Sequence, residues 1–129
     1  MQITSLVILA LFLQQPSFKT VANVAELMKA IVIPASDVIF AAGGEAPKTD
    51  ADWTKLQNNA LALAESGNLL LMRPPARDNA NWMKFSREMT DAAEVALKAA
   101  RSKNATAIAE AGNRVYGSCE SCHKQYMTQ

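Results

Sequence analysis

Both cysteines and the one histidine of the chain fall within Cys119-Glu120-Ser121-Cys122-His123. The spacing C-x-x-C-H is the pattern of covalent c-type haem attachment. On a helix Cys119 and Cys122 lie three positions apart on one face, so both thiols reach the two vinyl groups of one porphyrin. His123 follows the second thiol directly, which brings its imidazole under the iron as an axial ligand. Two other chemistries use the same residue types. A thioredoxin-like dithiol needs a neighbouring βαβ pattern, and the sequence has none. A zinc site needs four ligands, and with no second cysteine pair a carboxylate would have to complete it.

The remainder of the chain must position this motif. With 129 residues, half of them hydrophobic, the sequence bounds a single domain with a modest core. Alanine is abundant, and Pro and Gly are scarce outside two short loops, which favours helices. A net charge of +1 without a basic stripe gives no case for nucleic acid. Ile3 to Leu13 is apolar apart from Thr4 and Ser5. This run is short for a bilayer span and suits the core of a secretory signal. It lacks a preceding Lys or Arg and a clean cleavage site, so a buried helix and an uncleaved anchor stay open beside it. Residues 1–18 are read as a signal peptide or N-terminal apolar segment, and 19–129 as the domain.

Four helical patterns follow. The first, from about Thr20 to Ala42, carries Val21, Val24, Leu27, Met28, Ile31, Val32, Ala35, Val38 and Ile39 at steps of three and four. Pro34 lies inside it and predicts a kink. Ile31-Val32-Ile33 is the one place where a strand could be argued, and Gly43-Gly44 closes the element. The second starts at Thr49 or Asp50, buries Trp53, Leu56, Ala60, Leu63 and Ala64, and is expected to end at Gly67. A loop through Leu69-Leu70-Leu71-Met72 to Pro74-Pro75 would then be too apolar for open water. It would cover either a haem edge or the end of the core. The third runs from Asn79 to Lys103 with Trp82, Phe85, Met89, Ala92, Ala93, Ala96 and Ala100 inward. The fourth starts at the N-cap Asn104 and carries Ile108, Gly112, Val115, Cys119, Cys122 and Tyr126 on one side. The fold class is therefore all-α, an antiparallel four-helix bundle with haem c on the C-terminal helix.

This layout resembles the class II c-type cytochromes, the cytochrome c′ and cytochrome c-556 family, over about residues 20 to 127. The resemblance is strongest at Val115-Tyr116-x-x-Cys119-x-x-Cys122-His123-x-x-Tyr126, with a weaker signal at Glu26-Leu27-Met28-Lys29. It implies a periplasmic or otherwise exported protein with one covalent haem c per chain, and no enzymatic activity. In this family the first helix supplies the distal side. Low-spin members place a methionine ligand there, and cytochromes c′ an apolar side chain that leaves the iron open. Met28 matches that place, beside the readings of an open site or another methionine, since methionine is also a common core filler. The leading reading is an electron carrier with His123 and Met28 as axial ligands. The alternative is a five-coordinate protein that binds NO or CO. Many cytochromes c′ carry a basic residue four positions after the histidine; here it is Met127, so the resemblance does not extend to proximal gas chemistry.

Other residues are weaker candidates. Tyr116 and Tyr126 flank the motif by one turn and are expected to pack on the porphyrin. Trp53 and Trp82 line either the haem or plain core. Arg73, Arg77 and Arg87 are either propionate partners or solvated charges. Expected partners are redox proteins that dock transiently. Bundles of this family often pair through helix faces, so a homodimer is compatible with the resemblance. No membrane contact is expected beyond an N-terminal anchor.

Overall fold

The computed structural model describes residues 17–127. The apolar run at 3–13, with its reading as a signal, lies outside them. Asn23 starts the first helix with a reciprocal capping box: its side chain accepts from the Glu26 amide at 2.9 Å, and the Glu26 carboxylate accepts from the Asn23 amide at 2.8 Å. Helix α1 then runs over 24–44 in three stretches. Val24–Leu27 is α-helical, Met28–Val32 is a π turn, and Ile33–Gly44 is α-helical again. The expected start at Thr20 is thus too early, because nothing before Asn23 satisfies the first amides. Ile31-Val32-Ile33 is helical, not a strand.

Helix α2 (Asp50–Leu71) opens on a second capping box, between Thr49 and Asp52. It does not stop at Gly67. Gly67 is a buried helical residue, chosen for the approach of the neighbouring helix: a Cβ there would stand 1.9 Å from Thr90 Oγ1. The apolar Leu69-Leu70-Leu71 stretch is therefore helix, and only Met72 onward is loop. Helix α3 (Asn79–Arg101) ends two residues before the expected Lys103. Lys103 takes a left-handed conformation, φ 51°, and the Asn104 amide bonds back to the Ala99 carbonyl at 3.0 Å. That is a Schellman closure with lysine in the usual glycine position. Asn104 then caps α4 (Ala105–Tyr126), accepting from the Ala107 amide at 3.0 Å.

Each helix runs against its neighbours. The end of α2 reaches the start of α1, where Arg73 Nε donates to the Ala22 carbonyl at 2.7 Å. The end of α3 reaches the start of α2, where Lys103 pairs with Asp50 at 2.6 Å. The end of α4 reaches the start of α3 through Tyr126 and Asp78. Contacts join α1 to α2, α2 to α3, α3 to α4 and α4 back to α1. This is the antiparallel four-helix bundle, and no strand occurs among the described residues. Ile39, Leu56, Leu63, Ile108 and Val115 are its most deeply buried large side chains. The alanine stripe of α3, with Ala93, Ala96 and Ala100 fully buried, lets the helices approach closely. No described helix is long and apolar enough to cross a membrane.

Candidate functional site

The core does not fill the bundle evenly. Toward the end of α4, two cavities of about 220 Å³ and 670 Å³ share Met28, Ile33, Trp82, Cys122 and His123 in their walls. They form two lobes of one hollow. Cys119, Leu70, Phe85, Ser86 and Met89 line the inner lobe. Arg73, Pro74, Pro75, Tyr126 and Met127 line the outer one.

The motif occupies the last two turns of α4. Both thiols are partly buried and His123 is exposed. The expected shared face is present, since both cysteines line the inner lobe. Burial pushes the Cys119 thiol above its usual 9.0, against the opposing pull of Ser118. Burial also raises Cys122, helped by Cys119 and by the Glu88 carboxylate. A redox dithiol needs the reverse, a thiolate stabilised by nearby positive charge or a helix N-terminus. These thiols lie near a helix C-terminus. Among the described residues no cluster of three His, Cys, Asp or Glu side chains is arranged to hold a metal ion.

The hollow suits a large, flat apolar group. Ile33, Tyr116 and Met127 are exposed by 47%, 60% and 70%, and all three rim it. Ligands of that kind sit in mostly apolar clefts with a few placed polar groups. Tyr126 meets Trp82 edge-on at 5.1 Å between ring centres, and Phe85 at 6.2 Å. Tyr116 meets Phe40 at 6.2 Å. Burial and the Asp78 carboxylate raise the Tyr126 phenol above its usual 10.0. The Trp82 indole N–H is satisfied by the Leu70 carbonyl at 2.9 Å.

Residues 77–127 match the family model described as Cytochrome C'. Over this stretch, less than half of the chain, the sequence is similar to the class II c-type cytochromes. No curated protein and no solved structure matched it. That family carries haem c, and the similarity supports the same cofactor for the Cys119-x-x-Cys122-His123 motif. The match covers α3, α4 and the turn before them; α1, with Met28, lies outside it.

The structure brings together most of the expected site residues. Met28, Cys119, Cys122 and His123 share one hollow, with Tyr116 and Tyr126 at its two ends. Trp82 joins them, whereas Trp53 sits in plain core away from both lobes. Leu70 is a wall residue, so part of the apolar stretch after Gly67 does face the site. Arg73 reaches the outer lobe, while Arg77 and Arg87 reach neither. Ser36, Asp37 and Phe40 were not expected. They lie on α1 one position out of step with the apolar stripe, and the π turn accounts for the shift.

Proposed function

We propose that this chain is a class II c-type cytochrome, an exported electron carrier holding one haem c. Cys119 and Cys122 would hold the group by thioethers, and His123 and Met28 would hold its iron. The observation that carries the reading is that Met28 of α1 and His123 of α4 line both lobes of the same hollow. Haem, when bound, supplies one-electron chemistry between ferric and ferrous iron.

The residues of the chain do the rest. The Met28 thioether, a soft and neutral donor, would favour the ferrous state and raise the potential. Val32, Ile33, Phe40, Trp82 and Phe85 give the site apolar walls that exclude water. Among the described wall residues, Lys29 and Arg73 carry permanent positive charge, both on the outer lobe, and suit the propionate edge. Two Arg73 N–H groups already bind carbonyls, Ala22 at 2.7 Å and Leu69 at 2.5 Å, which fixes the guanidinium plane. The single histidine is assigned to the iron, so no second imidazole serves as a distal acid–base group. We assign no reaction on a bound substrate. The apolar run at 3–13 and the family resemblance, in which haem is attached outside the cytoplasm, support the reading of export. The partners would be redox proteins that dock transiently.

The test is an optical spectrum of protein made with a cytochrome maturation system. The expected ferric form is low-spin, and the ferrous form takes up no carbon monoxide without losing a ligand. Met28→Ala should give a high-spin ferric form that binds carbon monoxide. A wild-type protein already high-spin, with the variant unchanged, would remove Met28 from the iron and favour the five-coordinate gas-binding alternative.

A further inference from the structure

Asp78 stands at the start of α3 in a left-handed conformation, φ 62° and ψ 45°. Aspartate in such a position ordinarily caps its own helix, yet this one makes no side-chain cap bond. Its carboxylate faces the end of α4 instead. Oδ2 accepts from Gln125 Nε2, from the Tyr126 hydroxyl at 3.4 Å, and from Asn81 Nδ2 at 3.2 Å. The same Tyr126 hydroxyl also reaches the Asp78 carbonyl at 3.3 Å. Tyr126 is in turn wedged edge-on against Trp82 and Phe85. Two consecutive residues of the final turn of α4 are thus tied to one carboxylate on the opposite end of α3. That turn begins at His123, whose carbonyl accepts the Met127 amide at 2.9 Å.

We propose that Asp78 is a positioning residue for the His123 imidazole: it clamps the last turn of α4, which would otherwise fray, and so fixes the ring's direction into the hollow. An α-helix end lacks four backbone partners and loosens first. Here α4 ends at Tyr126, three residues after its candidate iron ligand, so the hold on the ring depends on how that last turn is tethered. A left-handed aspartate gives the carboxylate that reach, because the turn swings it away from α3's own amides.

The inference rests on His123 being the proximal ligand, and the test separates the two. Asp78→Gly keeps the left-handed turn, which glycine adopts freely, and removes only the clamp. In the haem-loaded variant, amides of residues 123–127 should exchange about tenfold faster than in the wild type. The ferric paramagnetic resonance spectrum, which reports the imidazole plane, should broaden or split into two species. Asp78→Asn keeps both an accepting oxygen and a tolerance for the turn, and should restore much of both signals. Tyr126→Phe should reproduce part of the loss without touching the turn. Wild-type exchange and an unchanged resonance spectrum in Asp78→Gly would overturn the clamp. A wild-type chain that takes up no haem would instead defeat the haem assignment, and exchange in the bare chain would still decide the clamp.

Discussion

Replacing Gly67 by alanine probes how closely α2 and α3 must approach to wall the hollow. The added Cβ would meet Thr90 Oγ1 at 1.9 Å, the Ser86 carbonyl oxygen at 2.8 Å and Thr90 Cβ at 3.2 Å, where ordinary contacts begin at 3.4 Å. Thr90 can turn away, but its hydroxyl then gives up the Ala64 and Ser86 carbonyls, at 3.1 and 3.2 Å. The Ser86 oxygen is backbone and moves only with α3. Overpacking of this kind costs about 1–3 kcal/mol. Losing the hydroxyl's bonds adds about 1 kcal/mol. Alanine's helix preference over glycine returns about 1 kcal/mol. The expected net loss is about 1–3 kcal/mol, or several degrees in melting temperature for a domain of this size. Urea and thermal unfolding of Gly67→Ala, Thr90→Ala and the double variant measure it. The double variant should be more stable than the sum of the singles predicts, because Thr90→Ala removes the worst contact. A single Gly67→Ala variant at or above wild-type stability would refute the argument, as would strict additivity.

Three further outcomes follow from the same structure. Cys119→Ser or Cys122→Ser should leave at most one thioether, seen as haem partly lost under acid extraction and in the mass of the purified chain. Asp52 accepts from both the Thr49 hydroxyl and amide, which holds its carboxyl below the usual 3.8. A depressed carboxyl stabilises the fold above its unfolded value and loses that contribution as pH falls through the lower folded one. The stability gap between wild type and Asp52→Asn should therefore be constant at neutral pH and close below 3.8, by urea unfolding across that range. Lys103→Gly relieves a left-handed lysine but breaks an exposed pair with Asp50, of the kind that adds little to stability. Its stability should stay within about 1 kcal/mol of wild type, and a larger loss would mean that the Asp50 pair matters more than exposed pairs usually do.

The chemistry of this chain was legible because it is carried by rare residues at fixed spacing. Cys119, Cys122 and His123 need no knowledge of packing to be read, and the stripes of α2, α3 and α4 place them on a bundle. Gly67 misleads because glycine serves two purposes, closing a helix or letting another helix come near, and only the position of Thr90 distinguishes them. Asp78 was invisible for a related reason. It looks like an ordinary cap in sequence, and its partners Gln125 and Tyr126 lie 47 and 48 positions further along the chain.

The first helix shows how one residue can set the shape of a site. Pro34 has no amide to offer the Ala30 carbonyl, so a regular helix cannot run through it. The chain answers with the π turn at Met28–Val32, in which the Ile33 amide bonds five residues back to Met28. Pro34 then falls in the first turn of the next α stretch, where no amide is required. The inserted residue rotates everything after it by about 100° relative to Met28. In an unbroken helix Ala35 and Ile39 would continue Met28's face; instead Ser36 and Phe40 join Met28 on the cavity wall, and Ala35 and Ile39 turn into the core. Pro34→Ala, by allowing a regular helix, should drive α1 toward the unrotated phase. That would push either Met28 or Phe40 off the wall. With Met28 on the iron, the variant should show a mixture of low-spin and high-spin ferric forms, and an unaltered spectrum would mean that the π turn is held by packing and not by the proline.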